Sequence, residues 1–240
     1  MILELDCGNS FIKWRCVNHS GDAGPIGVVK VLEDIEPAAA GDLVRARLVS
    51  VRGEAETAEL IAAIEDRWNI HVSRARSVAK LGTVRNGYRH FEMLGADRWL
   101  AVVAAYEVAK RACMVVDLGT AVTVDLVDRE GQHLGGYIAP GLSLMRDQLN
   151  RETRRVRYAP MKPNLQALMT PGVETGDAVE RGCTLMMRAY VSAQITSARE
   201  LLGSECQLLA TGGDAPVVAD LDGLVSMPDL VFRGLSIACP

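Results

Sequence analysis

The chain has 240 residues, of which 49% are hydrophobic, and a formal net charge of -4. This apolar content is ample for buried cores and excludes disorder as the main state. The small negative charge offers no broad electrostatic attraction for nucleic acid or an anionic membrane, so neither is expected as a partner.

The N-terminal residues and the cysteines predict a cytoplasmic protein. Residues 1-6 carry acids inside a short apolar run and lack the basic region of a signal peptide. The apolar stretches fall short of the roughly 20 residues that span a bilayer. The six cysteines are scattered without a Cys-x-x-Cys pair, which favours reduced thiols over a disulfide framework or a zinc site.

The first half of the chain predicts a mixed sheet flanked by helices. β-rich segments bounded by turn residues give the predicted strands 3-5, 11-17, 27-31, 46-51 and 70-73. Apolar spacing predicts helices at 55-68 and 96-111. The glycine- and arginine-bearing stretch 81-89 has no clear periodicity and is interpreted as a functional loop.

The second half repeats this plan. The predicted strands are 114-117, 122-127, 133-138 and 207-210. The predicted helices are 142-149, 175-202 (in one or two pieces), one beginning at 216-221, and 229-238, which is expected to return to the second core. Prolines 160, 163 and 171 indicate a loop.

Two Asp-x-Gly turns organise the chain. One apolar run leads into Asp6-Cys7-Gly8-Asn9-Ser10, and another leads into Asp117-Leu118-Gly119-Thr120. The two aspartates are 117 - 6 = 111 residues apart, close to half of the 240. This internal repeat predicts an α/β protein of two related domains, 1-112 and 113-240.

Each turn combines groups that suit phosphate and metal binding. A carboxylate at a strand end can orient Mg²⁺, and the amides of a glycine turn can cradle phosphate. Ser10 and Thr120 add hydroxyl groups, and Lys13 adds a positive charge. Asp-x-Gly alone is also ordinary hairpin chemistry, but two copies in duplicated contexts favour a site.

Further candidate groups lie at a helix start and in a double-glycine turn. Asp97 could accept a hydroxyl proton while Arg98 holds an anionic group, although helix stabilisation and a surface ion pair explain both residues equally well. Thr211-Gly-Gly-Asp214 could admit a nucleotide or form a simple tight turn. A cluster of four arginines is interpreted as a solvated helix end: Arg151, Arg154, Arg155 and Arg157.

These motifs resemble the superfamily of sugar kinases, heat-shock chaperones and actin, and within it the type III pantothenate kinase family. The similarity rests on five segments that run in family order through nearly the whole chain. They are Asp6 to Lys13, Gly95-Ala96-Asp97-Arg98, Asp117 to Asp125, Gly135 to Gly141, and Thr175 to Gly182. Ser10 stands where the family usually has threonine, which keeps the hydroxyl group.

The resemblance implies two ribonuclease-H-like (actin-like ATPase) domains with mixed sheets flanked by helices. It also implies ATP with Mg²⁺, a monovalent cation (K⁺ or NH₄⁺), and a homodimer that helps to close the pantothenate pocket. The implied reaction is the phosphorylation of pantothenate by ATP to 4'-phosphopantothenate, the first step of coenzyme A biosynthesis.

The resemblance also implies roles for individual residues. Asp97 would be the proton acceptor, Asp117 would hold the monovalent cation, and Asp6 would hold Mg²⁺. The residues implied to bind ATP are Asp6, Cys7, Gly8, Asn9, Ser10, Phe11, Ile12, Lys13 and Thr120. Those implied to bind pantothenate are Tyr88, Gly95, Ala96, Asp97, Arg98 and Thr175.

Two alternatives remain open. Another kinase or a phosphatase of the superfamily would keep the Asp-x-Gly turns but needs no Gly-x-Asp-Arg segment. A regulatory binding protein on the same fold, such as a transcription accessory factor, could lose Asp97 or Lys13 without penalty, yet both residues are present.

Overall fold

The structure, a computed structural model, describes residues 1-38, 40-159 and 165-240. It divides into two compact units, the first formed by Met1–Val108 with Asp229–Pro240 and the second by Ala109–Pro228. The helices are α1 (Glu54–Trp68), α2 (Ala96–Ala109), α3 (Leu142–Glu152), α4 (Thr175–Leu202) and α5 (Leu230–Ala238). Within the described ranges, no helix is long and apolar enough to cross a membrane.

The first unit is built on a five-stranded sheet with the order β3-β2-β1-β4-β5. Its strands are β1 (Ile2–Cys7), β2 (Ile12–Val17), β3 (Gly27–Val29), β4 (Arg45–Ser50) and β5 (His71–Arg74). The pairs β3-β2 and β2-β1 are antiparallel, whereas β1-β4 and β4-β5 are parallel. The predicted mixed sheet is thus confirmed for this half.

Alternation along β1 sends its side chains to two different environments. Leu3, Leu5 and Cys7 are fully buried in an apolar cluster that also contains Leu48 and Ile64. Ile64 lies on α1, which begins after Gly53 and ends at Trp68, followed by Asn69 with a left-handed φ of 51°. Helix α1 therefore covers one face of the sheet.

The opposite face carries a row of buried charges. Glu4 is paired in register with Arg15 on β2 and with Arg47 on β4. Its carboxylate accepts a hydrogen bond of 2.7 Å from Arg15 Nε and another of 3.0 Å from Arg47 Nη1. All three residues are buried, so the carboxylate and the two guanidinium groups compensate one another away from water.

Helix α5 packs on this charged face of the first unit, so the prediction that it returns to the second core was wrong. Its Phe232 ring lies 4.8 Å from the Arg15 guanidinium. Gly234 lets the helix approach the backbone of Leu100 closely, since a Cβ there would collide with the Leu100 carbonyl. An apolar helix sequence does not specify which of two apolar cores it joins.

The second unit repeats the strand arrangement of the first, with the order β10-β9-β8-β11-β12. Its strands are β8 (Cys113–Leu118), β9 (Ala121–Val127), β10 (His133–Pro140), β11 (Gln207–Thr211) and β12 (Leu224–Ser226). The pairs β10-β9 and β9-β8 are antiparallel, and β8-β11 and β11-β12 are parallel. The predicted duplication is confirmed at the level of sheet topology.

Three local predictions need correction or refinement. The expected loop 81-89 overlaps a small hairpin of β6 (Lys80–Leu81) and β7 (Val84–Arg85). The helix expected from Pro216 is only a short 3-10 segment, Ala215–Val218, and β12 was not predicted. The pattern 175-202 forms the single helix α4.

Pro171 lies in a loop as predicted, whereas Pro160 and Pro163 lie outside the described residues.

Candidate active site

The first Asp-x-Gly turn is the tip of the hairpin between β1 and β2. Asp6 is the second-last residue of β1 and is paired with Lys13 on β2. The Gly8 amide donates to the Phe11 carbonyl at 3.0 Å, and a Cβ on Gly8 would lie 3.3 Å from that oxygen. Glycine therefore closes this turn tightly, while Asn9, Ser10 and Phe11 are exposed at its tip.

Asp6 and Lys13 form a loose ion pair across the hairpin. The Lys13 Nζ lies 4.0 Å from Asp6 Oδ2, and the lysine side chain is the more exposed of the two. An ammonium group at this distance is long for a hydrogen bond, which leaves it able to turn towards an anion. The pair can therefore offer both a carboxylate and a cation at one strand end.

Two of the residues expected to bind ATP have core side chains. Cys7 and Ile12 are buried in the apolar cluster of the first unit. Burial raises the pKa of the Cys7 thiol to about 12, so the thiol stays neutral. Any part that these two residues play in ligand binding falls to their backbone atoms.

The Gly95-Ala96-Asp97-Arg98 segment forms the start of α2. Asp97 lies in the first turn and its Oδ1 accepts a 2.7 Å hydrogen bond from the Arg98 amide. A Cβ on Gly95 would lie 2.7 Å from the same Oδ1, so glycine makes room for this carboxylate. The segment presents an oriented carboxylate at a helix N-terminus, where the helix dipole favours negative charge.

Arg98 is held by Tyr88, which the structure brings to it from the loop before α2. The Arg98 Nη1 donates to the Tyr88 hydroxyl at 2.9 Å, and the guanidinium lies 5.6 Å from the centre of the tyrosine ring. Arg98 is a buried residue, which is inconsistent with the alternative of a surface ion pair. A guanidinium fixed in this way suits recognition of a carboxylate or a phosphate.

The second Asp-x-Gly turn lies at the equivalent place in the second unit. Asp117 is the second-last residue of β8, and Thr120 is exposed in the turn that follows. Two glycines approach this turn closely: the Gly141 amide donates to the Thr120 carbonyl at 3.0 Å, and a Cβ on Gly212 would lie 2.5 Å from Asp117 Oδ1. The three glycine motifs of this half therefore meet in one place.

Oxygen-bearing side chains flank Asp117 on both sides. Thr123 on β9 and Thr211 on β11 are its register partners, so the three side chains share a face of the sheet. Carboxylate, hydroxyl and carbonyl oxygens are the ligands that hard cations prefer. The residues at this turn therefore fit a cation site.

Asp214 follows the double glycine and lies beside the same turn. Its amide donates to the Leu118 carbonyl at 3.0 Å. Burial raises the pKa of the Asp214 carboxyl, and the positive charge of Arg146 opposes that rise. The Thr211-Gly-Gly-Asp214 segment is thus fixed against the Asp117 turn rather than exposed as a free loop.

The remaining predicted residues are exposed residues of the second unit. Thr175 is the exposed first residue of α4, next to a segment in which Gly172 packs against Ala178. All four residues of the arginine cluster are exposed, in line with a solvated helix end.

Two arrangements were not predicted from the sequence. Arg52 contacts the first turn by donating from Nε to the Gly8 carbonyl at 2.9 Å. In the second unit, His133 and Asp125 form a buried pair with 2.9 Å between Nε2 and Oδ1. For the second arrangement the sequence offered one signal, because Asp125 is the last residue of the Asp117-to-Asp125 motif. Arg52 is a single arginine after a strand and belongs to no motif.

Solved structures identify the class of fold. A Campylobacter jejuni protein described as a Baf family transcriptional activator has a TM-score of 0.63 at 20% identity, with 98% of this chain and 95% of that chain covered. A Sinorhizobium meliloti protein described as a candidate 2-dehydro-3-deoxygalactonokinase has a TM-score of 0.56 at 12% identity, with 99% and 95% covered. These likenesses show the fold alone, which is that of the actin-like ATPases and sugar kinases.

Sequence comparison identifies the family within that class. The model of the type III pantothenate kinase family matches residues 2–197. A type III pantothenate kinase from Pseudomonas aeruginosa is 50% identical over 246 residues, covering 100% of this chain and 99% of the relative. One from Azotobacter vinelandii is 46% identical over 248 residues with the same coverage. This chain belongs to the type III pantothenate kinase family.

Proposed function

We propose that this protein transfers the γ-phosphoryl group of ATP to the primary hydroxyl of pantothenate, giving 4'-phosphopantothenate and ADP in the first step of coenzyme A biosynthesis. The observation that carries the proposal is the match to type III pantothenate kinases over the whole chain. Pantothenate bears a hydroxyl to be activated and a carboxylate to be held, and the start of α2 offers a group for each.

In this proposal Asp97 accepts the proton of the attacking hydroxyl. Its Oδ1 is fixed by the Arg98 amide, which orients the carboxylate at the helix start. Arg98 and Tyr88 bind the pantothenate carboxylate, because the guanidinium is held in place by the tyrosine hydroxyl. The close turn at Gly95 and Ala96 forms the adjoining part of the acceptor site.

The first Asp-x-Gly turn holds the phosphates of the nucleotide. Backbone amides from Asn9 to Ile12, the side chains of Asn9 and Ser10, and the Lys13 ammonium bind the phosphates of ATP. Asp6 is positioned to hold Mg²⁺, which, when bound, offsets the charge of the phosphates. Phosphoryl transfer depends mainly on positioning and charge neutralisation, which is what such a donor set supplies.

Asp117 holds a monovalent cation, K⁺ or NH₄⁺. The threonines on either side of it and the nearby turn carbonyls supply neutral oxygen ligands, which suits a singly charged ion. Replacing K⁺ by Na⁺ at constant ionic strength is expected to lower the rate, and Asp117→Asn should abolish the difference between the two ions.

The active form is a homodimer located in the cytoplasm. Strand β10 is an edge strand with three large exposed apolar side chains, Leu134, Tyr137 and Ile138, which is a surface that a second copy would cover. The cysteines are free thiols, as in a reducing compartment. Light scattering should give twice the mass of one chain, and Ile138→Lys should lower it.

A coupled ADP-release assay tests the reaction. Purified protein with ATP, Mg²⁺ and K⁺ should release ADP only when pantothenate is present, and mass spectrometry should find 4'-phosphopantothenate. Folded protein that releases no pantothenate-dependent ADP would defeat the proposal and favour a regulatory protein. ADP release with another acceptor would favour a different kinase of the superfamily.

A further inference from the structure

Arg52 connects the loop after β4 to the first Asp-x-Gly turn. Its Nε donates to the Gly8 carbonyl at 2.9 Å, and its Nη1 donates to Glu56 Oε1 at 2.9 Å. Only 14% of the arginine side chain is exposed. The guanidinium is thus held between the Asp-x-Gly hairpin turn at Gly8 and the N-terminal end of α1.

The segment that carries Arg52 is itself fixed. The Ser50 and Thr57 hydroxyls, both buried, lie 2.9 Å apart, and the Arg52 amide donates to Ser50 Oγ at 3.2 Å. The Val51 amide donates to the Cys7 carbonyl at 3.2 Å, which ties the segment to the end of β1. Arg52 therefore approaches Gly8 from a rigid base.

A hydrogen bond to the Gly8 carbonyl orients more than that carbonyl. The peptide bond is planar, and none in the described residues is cis, so the Gly8 carbonyl and the Asn9 amide point in opposite directions from one rigid plane. Fixing the carbonyl on the Arg52 side therefore directs the Asn9 N–H to the other side. Glycine alone would leave this plane free to rotate, because it has no Cβ to restrict its φ and ψ.

We propose that Arg52 is a positioning residue that fixes the Gly8–Asn9 peptide plane so that the turn presents its amides to the phosphates of the nucleotide. The proposal rests on the proposed function, because it assumes that this turn binds ATP. Arg52 acts on the turn through Gly8, and pre-organisation of the amides lowers the cost of binding the phosphates.

Arg52→Met tests this positioning role of Arg52, which we call the Arg52 clamp. A hydrogen bond from a charged donor is lost, so the Kd for the ATP analogue AMP-PNP, measured by calorimetry, should rise about tenfold or more. The KM for ATP should rise in parallel, whereas the KM for pantothenate should stay close to that of the wild type. Arg52→Lys keeps the charge but not the planar guanidinium that joins Gly8 to Glu56. Its Kd for AMP-PNP should therefore lie between those of the wild type and Arg52→Met.

Arg74→Met is the matched control. The Arg74 side chain is 15% exposed and binds Glu54, which lies in the same first turn of α1 as Glu56. If Arg52 only stabilises the fold, both methionine variants lose melting temperature and neither changes the Kd for AMP-PNP. A changed Kd in Arg52→Met alone supports the clamp.

The outcomes separate the clamp from the reaction. An Arg52→Met protein that binds AMP-PNP within about twofold of wild type overturns the clamp, as does full recovery in Arg52→Lys, which would assign the effect to charge alone. If Arg52→Met does not fold, Arg52→Lys decides, since an unchanged Kd there also overturns it. Wild-type protein that binds AMP-PNP but does not phosphorylate pantothenate defeats the proposed function and leaves the clamp to be judged by Kd.

Discussion

The buried charge row of the first sheet predicts a large and specific loss of stability in Glu4→Gln. This substitution keeps the size of the side chain, removes its charge and turns one of its two acceptor oxygens into an amide donor. Glu4 is fully buried, and its two oxygens accept hydrogen bonds of 2.7 and 3.0 Å from Arg15 and Arg47. The variant therefore leaves two buried guanidinium groups facing a neutral amide.

The size of the loss follows from what remains around each arginine. Removing one partner of a buried ion pair costs about 3–5 kcal/mol. Arg15 keeps a second carboxylate, since its Nη1 lies 3.4 Å from Asp229 Oδ2. Arg47 has no second carboxylate partner in the described part of the chain. We therefore expect a loss near the low end of that range, about 3 kcal/mol.

Urea unfolding followed by tryptophan fluorescence is the appropriate assay. All three tryptophans, Trp14, Trp68 and Trp99, belong to the first unit, so their emission reports on the unit that contains Glu4. The control is Glu54→Gln, which removes a carboxylate that also binds two arginines but is largely exposed. It should lose much less stability. A Glu4→Gln loss below about 1 kcal/mol would refute the reasoning, because an uncompensated buried charge cannot be that inexpensive.

Three further predictions concern the candidate site. Tyr88→Phe removes the hydroxyl that holds Arg98, so the KM for pantothenate should rise about tenfold while the KM for ATP stays unchanged; equal rises in both would contradict this role. Asp97→Asn should lower kcat about 10²- to 10⁴-fold with an unchanged circular dichroism spectrum, and turnover at the wild-type rate would exclude Asp97 as the base. Burial raises the pKa of Asp214 and Arg146 opposes it, so the neutral carboxyl is favoured in the folded state. The stability that the buried neutral carboxyl of Asp214 contributes is fully present below its pKa in the unfolded chain, about 3.9. It is lost as the pH rises through the raised pKa of the folded state. Calorimetry should accordingly find Asp214→Asn more stable than wild type at pH 7 and equally stable below pH ~3.9, and equal stability at pH 7 would contradict the burial effect.

Much of this fold was predictable because its signals are local. Strand–turn–strand patterns around Asp6 and Asp117 depend on residues close in sequence, and the structure places both aspartates at equivalent positions of equivalent strands. Helix α1 was predicted within a residue of its start, and Asn69 ends it in a left-handed conformation that asparagine tolerates.

The wrong and missing predictions concern long-range packing. The choice of α5 for the first unit depends on Phe232 meeting Arg15 and on Gly234 meeting Leu100, residues more than a hundred positions apart. The short strand β12 has only three residues, of which Leu224 alone is buried, so it leaves little periodicity to detect.

In the candidate site, too, local features were predicted and long-range contacts were not. The order of residues Gly95 to Arg98 indicated a carboxylate and a guanidinium at a helix start, but not which tertiary contact would hold the guanidinium. Tyr88 was assigned only by resemblance, and its hydroxyl contact with Arg98 became visible in three dimensions. Arg52 carried no sequence signal because its function depends on a backbone carbonyl, which every residue has.

The two Asp-x-Gly turns differ in the residues that flank each aspartate in the sheet. The residue paired with Asp6 across the hairpin is Lys13, whereas the residue paired with Asp117 is Thr123. On the other side, Asp6 is paired with Val49 and Asp117 with Thr211. The first turn therefore combines a carboxylate with a lysine ammonium and an apolar neighbour, which suits polyanionic phosphates. The second turn surrounds its carboxylate with neutral oxygens, which suits a metal cation. One sheet topology, used twice, thus supplies opposite electrostatic environments because the two register partners of each aspartate differ in side-chain charge and polarity.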